Sequence, residues 1–186
     1  MLVGVVGPSG AGKDTLLSGA RAALAGTPAI RFVRRTITRP AEPGGEDHLP
    51  ATPAEFHRLR DLGGFALWWD AHGLLYGIPA DIVADMQWGL VVANLSRGVL
   101  AEAHRRFPLT VIEVTAPPEL RASRLAARGR EDAGAVAARL GRQAPIPPGI
   151  AHRRIVNDGG IAQGVARMVD LLEGLRSDYA TRAFGG

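Results

Sequence analysis

Residues 2–6 form a short apolar run that stops at glycines, the pattern of a buried strand feeding a loop. Residues 15–24 then change period. Leu16, Leu17, Ala20, Ala23 and Leu24 fall on one side of a helix. Residues 31–38 alternate weakly and predict a strand, and residues 40–53 are rich in turn formers. Thr52-Pro53-Ala54-Glu55 predicts a helix start, with Thr52 as N-cap, Pro53 in the first turn and Glu55 closing a capping box. Residues 65–69 and 74–76 flank His72-Gly73 and predict a hairpin, followed by a helix over 79–87. Apolar strands are expected at 89–95 and 109–115, Arg-rich helices at 118–128 and 133–142, a last strand at 152–157 and a closing helix at 161–175. Strands alternating with helices imply an α/β fold with a parallel sheet wrapped by helices.

At 186 residues the chain suits one domain with a sizeable core. No apolar run approaches the roughly 20 residues that span a bilayer, and the apolar start lacks a basic leader segment. Cytoplasmic, with no membrane partner, is the expectation. With no cysteine, disulfides and thiolate metal sites are excluded. Basic residues outnumber acidic ones 22 to 18, yet Lys13 is the only lysine. Arginine serves wherever charge alone suffices, so one retained lysine marks a place that needs a compact, flexible point charge. The arginines are scattered, with no aromatic-rich RNA-binding signature beside them, so nucleic acid is not the expected partner.

Gly7-Pro8-Ser9-Gly10-Ala11-Gly12-Lys13 follows a strand and opens a helix, the context a phosphate-binding P-loop requires. Glycines let backbone N–H groups turn toward phosphate oxygens, and the helix N-terminus adds partial positive charge. Lys13 can bridge the β- and γ-phosphates of ATP and follow the charge as it moves. Where the strict pattern has Ser or Thr, this chain has Asp14 followed by Thr15. Asp14 can hold Mg²⁺ directly or through water; alternatively it is an N-terminal helix acid and Thr15 serves the metal.

Residues 32–48, residues 65–79, the Arg-Gly-x-Glu segment at 128–131 and Ile155-Val156-Asn157-Asp158 together resemble the guanylate kinases in order and spacing, over nearly the whole chain. The resemblance implies a P-loop NTPase-type core (1–32, 91–123 and 145–186), a small acceptor-binding lobe near 33–90 and an Arg-rich helical lid near 124–144. It puts Arg128 and Arg139, with Arg124 and Arg130 less firmly, over the ATP phosphates, and Asn157 and Asp158 beside adenine. Arg39 persists where that family grips the acceptor phosphate.

The acceptor lobe departs from the guanylate pattern. Glu42 replaces a second arginine, His48 the family tyrosine, and Arg35 a small hydroxyl residue. Leu67 occupies the position of the base-reading carboxylate, residues 93–98 lack the later acid, and Tyr76 is kept while Ile78 replaces a hydroxyl residue. A guanine pocket without its polar readers loses orders of magnitude in discrimination. Gly-Lys-Asp-Thr, Gly-Gly-Glu-Asp-His and Ala-His-Gly-Leu-Leu-Tyr-Gly-Ile-Pro look like the ribose 1,5-bisphosphate phosphokinases of bacterial phosphonate catabolism. This resemblance implies ATP and Mg²⁺ as cofactors and a phosphorylated sugar as acceptor, bound by Arg35, Arg39, His48 and Tyr76, with Lys13, Arg39, Arg128 and Arg139 as the catalytic cations. A nucleoside monophosphate kinase and a catalytically inactive interaction module are the alternatives, and monomer and homodimer are both left open. His72 sits in the expected hairpin turn; Trp68, Trp69 and Trp88 are expected to pack rather than stack on a base.

Overall fold

The computed structural model describes residues 1–41, 45–126 and 144–184. Five strands, β1 (Leu2–Val6), β2 (Ile30–Phe32), β7 (Leu90–Asn94), β8 (Leu109–Thr115) and β9 (Ala151–Val156), form a wholly parallel sheet ordered β2-β7-β1-β8-β9. The chain runs from central β1 out to β2, returns through β7, and continues on the other side with β8 and β9. In register, Val5 lies beside Asn94, and Val6 beside Glu113.

Unbroken apolar strands are what a sheet covered on both faces requires. On one face Val3, Val5, Val92, Ile112 and Val114 pack on α1 (Lys13–Ala23) and α6 (Ile161–Phe184) through Leu16, Ala20, Met168 and Leu172. On the other, Leu2, Val6, Val91, Ala93 and Leu95 meet α4 (Leu100–Arg106) and a second sheet through Leu100, Leu67, Trp69 and Ile78. That sheet consists of β3 (Thr36–Ile37), β4 (Leu49–Pro50), β5 (Phe65–Ala71) and β6 (Leu74–Pro79), ordered β4-β3-β6-β5. The β5–β6 hairpin turns at His72 and Gly73, with φ of 55° and 71°, the doubly left-handed backbone of a two-residue hairpin turn. Before it, α2 (Pro53–Asp61) starts on the expected capping box. The Thr52 side chain accepts from the Glu55 amide at 3.2 Å, and the Thr52 amide donates back to Glu55 at 2.8 Å.

Four expectations need revision. Residues 31–38 are two strands in different sheets, because Phe32 pairs with Val92 whereas Thr36 pairs with Gly77. The helix expected over 79–87 shrinks to α3 (Ile82–Asp85). Helix α4 was not foreseen. The closing helix runs nine residues past 175, to Phe184, because Leu175 and Tyr179 still reach the core and the Tyr179 hydroxyl donates to the Met86 carbonyl at 2.8 Å. Helix α5 (Pro118–Ala126) follows β8. Most of the expected lid, including Arg128, Arg130 and Arg139, lies outside the described residues, as does Glu42. Among the described residues, no helix is long and apolar enough to cross a membrane.

Candidate active site

The glycine-rich segment joins β1 to α1 at the carboxyl end of the parallel sheet. Gly10 and Gly12 take φ of 81° and 82°, left-handed backbone that side chains rarely adopt. A Cβ on Gly12 would stand 2.4 Å from the Asn157 Nδ2. That amide, buried at the end of β9, donates to the Ala11 carbonyl at 2.8 Å. Two arginines of α5 brace the loop as well. Arg121 Nε donates to the Ser9 carbonyl at 3.1 Å, and Arg124 to those of Gly10 at 3.4 Å and Asn157 at 3.2 Å. The carbonyls of Ser9, Gly10 and Ala11 are thereby held by side chains. Such a fixed loop offers its amides to an anion without reorganisation.

Lys13 and Asp14 open α1 with their side chains paired at 2.9 Å. Asn94, at the end of β7, donates to the same Asp14 oxygen at 3.0 Å, so neighbouring strand and helix fix the carboxylate. Asp14 keeps 43% of its side-chain surface, and Thr15 is exposed beside it. Among the described residues, no cluster of three His, Cys, Asp or Glu side chains is disposed to hold a metal. One carboxylate and one hydroxyl suit Mg²⁺, which takes few protein ligands and completes its shell with water and substrate phosphates.

In the acceptor lobe, Arg35 is buried and forks onto Glu46, its Nε 2.7 Å from one carboxylate oxygen and its Nη2 on the other. Its guanidinium lies 4.9 Å from the Tyr76 ring centre and 5.7 Å from that of Trp69, and these two rings stack on each other. His48, 2% exposed, places its two ring nitrogens 2.8 Å from the Glu46 carbonyl and 3.0 Å from that of Arg39. The histidine thus ties the Arg39 backbone to that of Glu46. Arg39 itself is half-buried, and its buried Nε has no partner among the described residues. Arg35, His48 and Tyr76 are brought together around Glu46; Lys13, Asp14, Thr15 and Asn157 gather at the phosphate loop. Leu67 is 1% exposed and packed in the core beside Ile78, not on a cleft wall. Trp69 packs as expected, whereas Trp68 is half-exposed under Arg60 and Trp88 is exposed.

Sequence reasoning missed a second charged cluster. Glu113 on β8 receives Arg97 and Arg154, each at 2.7 Å. Burial pushes its carboxyl pKa up, but the two arginines outweigh that and hold it below the usual 4.5. The signal was present: a lone acid within the apolar run 109–115 must be paired if that run is a buried strand.

A parallel sheet whose central strand delivers a glycine loop and a lysine to a helix N-terminus, faced by a separate small sheet, defines a P-loop kinase of guanylate-kinase architecture. The guanylate kinase of Anaplasma phagocytophilum superposes with a TM-score of 0.60 over 99% of this chain and 95% of its own, at 17% identity, which speaks for the fold alone. No family model matches the chain. Among curated relatives, ribose 1,5-bisphosphate phosphokinase PhnN of Acidiphilium cryptum is 56% identical over 144 residues, 77% of each chain. The protein of that name from Rhizobium etli is 44% identical over 96% of this chain and 92% of its own. The chain belongs to the ribose 1,5-bisphosphate phosphokinase family. It also matches the bifunctional ribose 1,5-bisphosphokinase-thymidine phosphorylase of Cupriavidus necator, at 48% identity over 96% of this chain, but spans only 30% of that longer relative.

Proposed function

We propose that the protein transfers the γ-phosphoryl group of ATP to the 1-phosphate of ribose 1,5-bisphosphate, giving 5-phosphoribosyl 1-diphosphate and ADP. The observation that carries this reading is an intact phosphate loop facing an acceptor lobe whose base-reading position is filled by a core leucine, Leu67, in a chain 44–56% identical to proteins named for this activity. An acceptor held by its phosphates needs cations and no base reader. The attacking atom is an oxygen of the 1-phosphate, already ionised at neutral pH, so no strong general base is required. It displaces ADP from the γ-phosphorus, and the work of the protein is positioning and charge neutralisation.

The loop from Gly7 to Thr15 would cradle the ATP phosphates, with Asn157 keeping its shape and Lys13 moving from Asp14 onto the β- and γ-oxygens. Mg²⁺, held by Asp14 or Thr15 with the phosphates, supplies charge neutralisation when bound. Arg39, its backbone held by His48, would grip an acceptor phosphate; Arg35 and Tyr76, locked to Glu46 and Trp69, would form the frame of that pocket. Arg128 and Arg139 are assigned to the ATP phosphates on the family resemblance. The cytoplasm, which supplies ATP, is the expected compartment.

The test is ADP release with ATP and Mg²⁺, offering ribose 1,5-bisphosphate and GMP in parallel. Preference for the sugar bisphosphate supports the proposal. Preference for GMP would keep the kinase and overturn the reading of the pocket.

A further inference from the structure

Open parallel sheets bind their ligands outside the carboxyl ends of the strands, where the chain reverses direction across the sheet. Here that point is β1, flanked by β7 and β8. The phosphate loop fills one part of the crevice, and the Glu113 cluster fills the part beside it. Glu113 is the register neighbour of Val6, and Val6 packs with Ala66, Leu67 and Trp69 of β5. Register neighbours in a parallel sheet point to the same face, so Glu113 lies on the face turned toward the acceptor lobe.

Arg97 comes to Glu113 from the short 3₁₀ turn Arg97–Val99, which packs against β5. Arg121 comes from α5. It is 95% buried, since 5% of its surface remains, and its Nε holds the Ser9 carbonyl. Its buried Nη2 has no hydrogen-bond partner among the described residues. Burial, and the like charge of Arg97 beside it, both lower the Arg121 pKa. Arg97 is already paired with Glu113, but a buried guanidinium donor of Arg121 without a partner is costly unless an anion joins it.

We propose that Arg97 and Arg121 form an anion site on the acceptor side of the phosphate loop that binds a phosphate group of the phosphorylated acceptor, with Glu113 as the positioning residue that holds Arg97. This rests on the kinase reading above and deepens it. A sugar bisphosphate carries two phosphates, and in the acceptor lobe the Arg35 guanidinium is already forked onto Glu46. Arg39 can serve one phosphate; the second needs cations elsewhere, and these two lie beside the loop that delivers the γ-phosphoryl group.

The experiment compares wild type with Arg121→Leu and Arg97→Gln, measuring KM for ATP, KM for ribose 1,5-bisphosphate and the melting temperature. Arg121→Leu also removes the Nε bond to the Ser9 carbonyl, whereas Arg97→Gln leaves that brace of the phosphate loop in place. The expected result for both variants is an acceptor KM raised about tenfold or more; the ATP KM stays within about twofold of wild type for Arg97→Gln and rises less than the acceptor KM for Arg121→Leu. An unchanged acceptor KM overturns the proposal. So does an Arg121→Leu variant whose ATP KM rises as much as its acceptor KM, which would make Arg121 a brace of the loop only. If wild type uses GMP and not the sugar, the functional reading fails, and the same split measured with GMP still decides the anion site. An enzyme that turns over neither acceptor overturns both.

Discussion

Leu67→Glu restores the carboxylate that guanylate kinases carry at this position, and the structure predicts that it damages the fold before it can read a base. The Leu67 side chain is 1% exposed and lies in the cluster formed by Ile78, Ile82, Val91 and Ala93. Withdrawing a fully buried leucine from that environment forfeits about 2 kcal/mol. Leaving a carboxyl there without a partner costs about 2 kcal/mol more. The sum, about 4 kcal/mol, is a large share of the 5–15 kcal/mol that typically holds a domain together. Burial raises the pKa of the new carboxyl in the folded state. Its least harmful contribution is therefore found below the unfolded-state pKa, and stability falls as pH rises toward the folded-state value. Urea unfolding of wild type and variant at pH 5 and pH 8 checks both parts, with the deficit larger at pH 8. A loss below about 1 kcal/mol, accompanied by a gain in GMP turnover, would refute the reasoning and put residue 67 on the cleft wall.

Lys13→Ala should lower turnover by about a thousandfold or more while leaving the melting temperature close to wild type, since its side-chain partner among the described residues is the half-exposed Asp14; near-normal turnover in a steady-state assay would remove the phosphate loop from the mechanism. His48→Ala releases the Arg39 and Glu46 carbonyls, and should destabilise by about 2 kcal/mol and raise the acceptor KM more than the ATP KM, as measured by chemical unfolding and initial rates. Glu113 has a folded-state pKa below 4.5, so it contributes stability that is present above pH 4.5 and lost as pH falls through the lower folded-state value. Glu113→Gln should flatten that acid-side slope in a pH series of melting temperatures.

The phosphate loop was legible because its chemistry is local: glycines at fixed spacing between a strand and a helix, closed by the single lysine. The capping box at Thr52 and the hairpin at His72-Gly73 were legible for the same reason, since a few consecutive residues determine them. What pairs with what was harder. The alternation over 31–38 does not reveal that Phe32 and Thr36 belong to different sheets, because period alone carries no partner. Arg35 reads in sequence as a free cation for substrate, and only the fold brings Glu46 and Tyr76 to it. Leu67 reads in sequence as a missing carboxylate; that its side chain belongs to the core follows from β5 packing on the main sheet. Arg97, Glu113 and Arg121 lie on three separate elements and share no motif, so their meeting depends wholly on the order of β7, β1 and β8.

The most direct test of the central claim is the identity of the product, followed by phosphorus NMR as ATP is consumed with ribose 1,5-bisphosphate and Mg²⁺. The account predicts that the resonance of the 1-phosphate monoester is replaced by a pair of mutually coupled diphosphate resonances while the 5-phosphate monoester persists and ADP accumulates. ADP formation with both monoester resonances intact, or no reaction with this sugar beside brisk conversion of GMP to GDP, would contradict it.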